Sequence, residues 1–348
     1  MRSLAAEIVS VIIDEYGRDE LLLRLSDPFW FQSLGCVLGY DWHSSGVTTV
    51  LTGVLREAIN PSNIGVAVCG GKGKRSKMTP TEIHRYGSQF KLSEEQVGRL
   101  ERASKLAAKV DNAAIQAGYP LYHHTFFMTM DAKWAVIQQG MDAVDGTARR
   151  YHWISDHVQS FVVEPHDAIV GDKVRSTALD MTSADSEESR RVAVDLVKDG
   201  VRNLRNEISS LCSDGQRCLT EWMDQNLNHR YTRQVLNMPR RIDWDAMKRA
   251  YEFQPADYEE LISIRGIGPG AVRALALVSQ IIYGAKPSWH DPVKFSFALG
   301  GKDGVPYPVD RSSYDQTIQL LRRLIEKARL EEQEKYTALK RLETIPPI

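Results

Sequence analysis

The sequence predicts an α+β fold: a mixed α/β domain with a small sheet over residues 1–175, then an all-helical domain over residues 176–348. Three observations predict it. Tyr122 to Met130 and Lys133 to Gln139 alternate apolar and polar side chains around Met130-Asp-Ala-Lys133, the pattern of a half-buried hairpin. Ile64 to Cys69 is a short apolar run with β-branched residues, as in a buried strand. From Ser183 onward the apolar residues recur at helical spacing, and the change of period near residue 175 sets the boundary.

Composition narrows the class. The chain has 348 residues, room for two domains, and its 43% hydrophobic and 26% charged content is that of a soluble globular protein. No apolar run reaches the length of a membrane span, and Arg2, Glu7, Asp14 and Glu15 do not fit a signal peptide. A cytoplasmic protein with no membrane partner is expected. Cys36, Cys69, Cys212 and Cys218 lack the spacing of a disulfide framework or a zinc site. The net charge of −1 gives no global attraction to nucleic acid. Basic surface must be local, at Lys72-Gly-Lys-Arg-Ser-Lys77, Arg149-Arg150, Arg240-Arg241 and Arg322-Arg323.

The elements follow in order. Residues 4–25 have helical spacing and close at Ser26-Asp27-Pro28, which caps a helix from Phe29 to Gly39. Asp41-Trp-His-Ser-Ser-Gly46 is a polar loop before a helix from Val47 to Ile59. The strand Ile64 to Cys69 runs into Gly70-Gly-Lys-Gly-Lys74. Thr81 and Ser93 are expected N-caps, Ser93 with Gln96 as a capping box, and the second helix extends to Ala117. After the hairpin, Arg150 to Ile154 and Ser160 to Val163 are expected strands. The remaining helices are Asp185 to Cys212, Asp214 to Leu227, Asp243 to Tyr251, Pro255 to Ile264, one ending at Tyr283, and Ser312 to Leu342.

One junction says most about function. Leu261, Ile262 and Ile264 precede Gly266-Ile-Gly-Pro-Gly270, and Val272, Leu275, Ala276 and Ser279 follow at helical spacing. The glycines allow close backbone approach, Pro269 suits a first helical turn, and the amides opening the second helix lie at its positive end. Residues 259–284 resemble a helix-hairpin-helix, a module that grips the DNA backbone without reading sequence. The resemblance implies DNA contacts at Gly266, Gly268, Gly270 and Arg273; a tight turn between two core helices is the alternative.

A wider resemblance spans nearly the whole chain. Asp27-Pro-Phe-Trp-Phe-Gln32, Asp41-Trp-His-Ser-Ser-Gly46, Gly70-Gly-Lys-Gly-Lys74, Tyr122-His-His124, Gln138-Gln-Gly140, Arg149-Arg-Tyr-His-Trp153, Asp291-Pro-Val-Lys-Phe-Ser296 and Gly300-Gly-Lys-Asp-Gly304 carry it. The chain resembles the prokaryotic domain-of-unknown-function family numbered 763. Members usually begin with a further stretch that this chain is expected to lack. The resemblance implies no mechanism.

Candidate chemistry gathers in the first half, where seven of the nine histidines lie. Lys72 and Lys74 in a glycine-rich loop suit a phosphate cradle, although the spacing is not that of a P-loop, so no nucleotide cofactor is expected. Asp41 and His43 place a carboxylate and an imidazole close together, as a general base or as metal ligands; a helix cap is the plainer reading. Asp111, His123, His152 and His166 extend the set to that of a hydrolytic site, with Asp41, His43 and Asp111 as candidate ligands of Mg2+ or Mn2+. His123 and His124 open a strand and should point to opposite faces. Asp131-Ala-Lys133 fits the Asp-x-Lys tail of metal-dependent nucleases but sits at a turn, and Gln138-Gln139 at a strand's end is a commoner place for a functional pair. Trp134, Trp153, Trp289 and Tyr307 are candidate stacking platforms for bases, or core anchors.

The expected function is a DNA-processing enzyme of repair or replication, a metal-dependent nuclease in which Asp41, His43, Asp111 and His123 activate water or bind metal. Lys72 and Lys74 would stabilise the phosphate. One alternative is a monofunctional glycosylase using Asp310 in Pro308-Val-Asp310; Gly270 stands where bifunctional enzymes carry a lysine. Another is a non-catalytic DNA-binding scaffold.

Overall fold

A computed structural model describes residues 1–42, 46–171, 173–212, 238–239, 241–295 and 311–345. Its centre is an antiparallel five-stranded sheet with strand order β1 (Val66–Lys72), β3 (Leu121–Thr129), β4 (Trp134–Met141), β5 (Ala148–Ile154) and β6 (Ala168–Gly171). The short strands β2 (Ile115–Gln116) and β7 (Leu179–Asp180) pair separately. The α+β expectation holds. So does the hairpin: the Thr129 amide donates to Lys133 O at 2.9 Å, and Ala132 takes φ +62° to close the turn.

Alternation along the strands gives the sheet two buried faces. One face presents Val66, Val68, Phe127, Ala135, Ile137 and Ile154 to α1 (Arg2–Tyr16), α2 (Arg18–Ser26), α3 (Pro28–Val37) and α4 (Val47–Ala58). The other presents Ala67, Cys69, Phe126, Met128, Val136 and Trp153. After the one-turn α5 (Pro61–Ile64), that second face is covered by α6 (Thr79–Gln89), α7 (Glu94–Lys109), α8 (Glu187–Lys198), α9 (Val201–Cys212), α10 (Trp244–Phe253), α11 (Tyr258–Ser263) and α12 (Pro269–Tyr283).

The cores do not divide at residue 175. The final helices α13 (Arg311–Lys327) and α14 (Glu332–Leu342) bury Leu320, Leu321, Leu324 and Leu342 in the same core as α1 and α3. Residues of α8, α11 and α12 share the other core with Phe126 and Trp153 of the sheet. Each core therefore draws residues from both sides of residue 175.

Local departures have local causes. The expected helix over 4–25 breaks at Gly17, with φ +89°, and the one from Asp185 breaks at Gly200, with φ +105°. The segment from Ser312 is two helices rather than one. Asp27 caps α3 as expected, accepting from the Phe29 and Trp30 amides at 2.8 and 3.1 Å. Ser93 and Gln96 form the capping box, but Thr81 lies inside α6 and caps nothing. Ser160 to Val163 is a loop: its alternation reflects Phe161 stacked on Trp134 at 5.9 Å and Val162 in the core, with no ladder partner among the described residues. The expected helix from Asp214 to Leu227 lies outside the described residues.

Candidate functional site

Strand register places two polar rows at one end of the sheet. Lys72, His123, Gln139 and Arg150 are successive partners across β1, β3, β4 and β5; Gly71, His124, Gln138 and Tyr151 form the next row. Neighbouring rows face opposite helical layers. Buried polar groups are costly unless hydrogen-bonded, so the partners of each one define its state.

Toward α3 and α4, His123 Nε2 lies 3.1 Å from Thr52 Oγ1 and 2.8 Å from Thr125 Oγ1. The Thr52 hydroxyl donates to Thr48 O at 2.8 Å, so its oxygen faces the ring as an acceptor. Nε2 therefore carries the proton and Nδ1 is an acceptor, with no hydrogen-bond partner among the described residues. Beside it, Arg150 donates from Nε to His152 Nε2 at 2.8 Å and from Nη1 to Gln32 Oε1 at 2.9 Å. His152 Nδ1 donates to Leu25 O at 3.0 Å, which fixes a neutral ring. Tyr122 accepts from Gln139 Nε2 at 2.7 Å, and the Lys72 amine lies 5.9 Å from the Tyr122 ring centre.

The other row builds a chain through the interior. Asp111, in the irregular turn after α7, is 1% exposed. Its carboxylate accepts from Gln138 Nε2 at 2.5 Å, Trp153 Nε1 at 3.1 Å and His166 Nε2 at 2.5 Å. A carboxylate only accepts, so the Gln138 amide nitrogen must face Asp111 and its oxygen must face His124. His124 Nδ1 then donates to Gln138 Oε1 at 2.8 Å, leaving Nε2 as the acceptor for the Ser104 hydroxyl at 2.8 Å. Burial holds both His123 and His124 well below the usual imidazole range, at about 4, His123 further through His124 and Lys72. Both rings are neutral at neutral pH. Burial raises the Asp111 carboxyl, with His166 opposing.

A cavity of about 420 Å³ opens at this end of the sheet. Ser76, Thr79, Ser104, His123 and His124 line it together with Lys77, Lys105 and Lys109. The Lys109 amine also donates to Ile264 O at 3.1 Å and Ile267 O at 2.6 Å, tying the turn between α11 and α12 to the cavity wall. Gln116 Nε2 adds a bond to Pro269 O at 2.8 Å. Burial lowers the Lys109 ammonium from its ordinary value.

That turn keeps Arg265, Gly266 and Pro269 exposed and Ile267 buried. Gly266 takes φ +95°, and a Cβ on Gly270 would come within 2.5 Å of Arg241 O. A Cβ on Gly268 would meet nothing closer than 3.9 Å. Arg273 is half-buried, its guanidinium 5.3 Å from the Trp289 ring centre.

Of the expected metal ligands, Asp41 and Asp111 do not come together. Asp41 is exposed beyond α3, on the α1–α4 side, whereas Asp111 is buried on the opposite side of the sheet with both oxygens hydrogen-bonded. These residues do not fit a shared ion, and the described residues hold no group of three His, Cys, Asp or Glu side chains arranged to bind one. His43 and Asp310 lie outside the described residues, as do Gly300 to Gly304 and Tyr307. Nor do Gly70 to Lys72 form an amide cradle. Gly70 to Lys72 continue β1, and the Gly70 amide donates to Glu82 Oε2 at 2.7 Å, a carboxylate that also pairs with Arg56. Lys72 and Lys74 are exposed. Lys133 is held by Asp19 and Asp156 at 2.7 and 2.9 Å, so the Asp-x-Lys pair serves the surface. Trp134 and Trp153 are core residues.

His123 and His124 face opposite layers as the strand pattern implied: Gln138 meets His124, and Gln139 lies opposite His123 in the ladder. Sequence reasoning missed Ser104, Thr52, Gln32 and Lys109. The first three are polar residues on largely apolar helix faces, each 4% exposed or less, and that misplacement was the available signal.

The family model described as protein of unknown function (DUF763) matches residues 1–309. No curated protein and no solved structure matches the chain.

Proposed function

The chain belongs to the DUF763 family, a family of unknown function, and on the geometry we propose that it binds DNA through the phosphate backbone and processes it at the adjoining cavity. One observation carries this reading: the Lys109 amine that organises the α11–α12 turn also lines a cavity rimmed by Lys77 and Lys105. A strand lying on exposed Gly266 and Pro269, at the positive end of α12, would run toward those lysines and the two neutral histidines. Lys72 and Lys74 extend the basic surface. Gly268 leaves room at the contact, and Arg273, stacked on Trp289, contributes shape rather than a free charge. The described residues offer no metal cage, so any Mg2+ or Mn2+ would be carried chiefly by the substrate phosphates.

The test is fluorescence anisotropy with labelled single-stranded and duplex DNA over a salt series. The apparent association constant should fall steeply with salt, as counterion release requires. Gly268→Glu should abolish binding without lowering the melting temperature, because among the described residues the nearest atom to a Cβ there is Gly266 O at 3.9 Å, an ordinary contact. Salt-independent binding, or binding untouched by Gly268→Glu and by Lys105→Ala together, refutes the proposal. Parallel incubations with and without Mg2+ or Mn2+ report strand cleavage.

A further inference from the structure

The Ser104 hydroxyl has the surroundings of a nucleophile. It projects from the middle of α7, is 3% exposed, and lies on the wall of the cavity. Its single proton points at His124 Nε2, 2.8 Å away. The orientation is forced from the far end of the chain. Asp111 fixes the Gln138 amide, the Gln138 oxygen fixes the proton on His124 Nδ1, and the lone pair of Nε2 is left for Ser104. Nucleophile, base and an amide that sets the base's tautomer make up the same division of labour as in Cys-His-Asn proteases. A serine needing only a buried partner could bond a carbonyl of its own helix; this one faces a neutral base beside three lysines.

We propose that Ser104 and His124 form a nucleophile–base pair that cleaves phosphate diesters, with Gln138 as the positioning residue. The choice of phosphate rests on the reading of the lysine-lined cavity given above. Ser104 Oγ attacks phosphorus, and its proton passes to His124 Nε2. The Oγ–P bond forms as the bond from phosphorus to the leaving oxygen breaks, and that oxygen takes the proton from Nε2. Water then attacks the phosphoserine diester, giving its proton to Nε2. Oγ leaves phosphorus and recovers the proton, so the net change is hydrolysis to a phosphate monoester and an alcohol. Lys77 offsets the charge gathering on the phosphate oxygens, and Lys105 joins it on leaving its ion pair with Glu101, 2.6 Å away.

The experiment uses the full chain with a fluorophosphonate probe, the adduct being located by peptide mass mapping. Two diesters are run alongside, bis(p-nitrophenyl) phosphate and a labelled oligonucleotide. Ser104 should carry the adduct, His124→Gln should slow its formation by about 10²–10⁴-fold, and Ser104→Ala should abolish both adduct and turnover. Thermal melts confirm folding, and Ser104→Cys keeps a nucleophile of similar size should the alanine variant unfold. Gln138→Asn should flatten the pH profile of labelling, which a merely structural role would leave unchanged. Turnover of the small diester without the oligonucleotide upholds the pair and overturns the DNA reading. DNA binding with no Ser104 adduct and no Ser104-dependent turnover of either diester overturns the pair and spares DNA binding.

Discussion

Gln138→Glu puts a second carboxyl against Asp111 and should reverse the pH dependence of stability. Gln138 is fully buried, and its amide nitrogen lies 2.5 Å from Asp111 Oδ2. Two carboxylates at that distance cannot both be ionised, so the folded variant must hold one proton between them. That proton's pKa rises above the value of about 4.3 for an unfolded glutamate, by about 3 units for a buried like-charge pair. A group whose pKa is raised on folding stabilises below its unfolded pKa and loses that contribution as pH climbs through the folded one. At about 1.4 kcal/mol per unit, the variant should be about 4 kcal/mol less stable at pH 8 than at pH 4, measured against wild type at each pH. Urea unfolding followed by tryptophan fluorescence at several pH values reads this directly. A penalty equal at pH 4.5 and pH 8 would show that Gln138 does not face the Asp111 carboxylate, and the tautomers derived for His124 and Ser104 would fall with it.

Three further outcomes are expected. Wild type should lose stability on acidification: His123 and His124 have depressed values of about 4, so their contribution is complete above the ordinary histidine value and declines as pH falls toward 4. Each ring accounts for up to about 3 kcal/mol, with the raised Asp111 acting in the opposite sense, and a pH series of urea midpoints checks the slope. Gly270→Ala should cost about 1–3 kcal/mol because its Cβ would lie 2.5 Å from Arg241 O, whereas Gly268→Ala, with only an ordinary contact at 3.9 Å among the described residues, should stay within about 0.5 kcal/mol; thermal melts separate them. Arg149→Ala leaves Asp291 buried without its charge partner, 2.6 Å away with both side chains fully buried, and should cost about 3–5 kcal/mol by chemical denaturation.

Much of the fold was legible because its signals are local. The Ser93 capping box, the Asp27 cap and the period-two strands of the hairpin each require only neighbouring residues, and each formed as read. The helix breaks at Gly17 and Gly200 were visible as glycines but not as breaks, since an isolated glycine is tolerated inside a helical pattern.

Residue order alone thus determined the α+β class, the glycine turn and the polar ends of β3 and β4, because propensity, periodicity and capping act over one or two turns of chain. Only the tertiary structure decided which polar groups meet. Strand alternation already turned His123 and His124 to different layers, but not toward which partners; Ser104, His124, Gln138, Asp111 and His166 come from separate elements and join in one chain. The sheet that separates Asp41 from Asp111, and the lysine that ties a distant turn to the cavity, are products of packing, where burial forces each polar group to find a partner far along the chain.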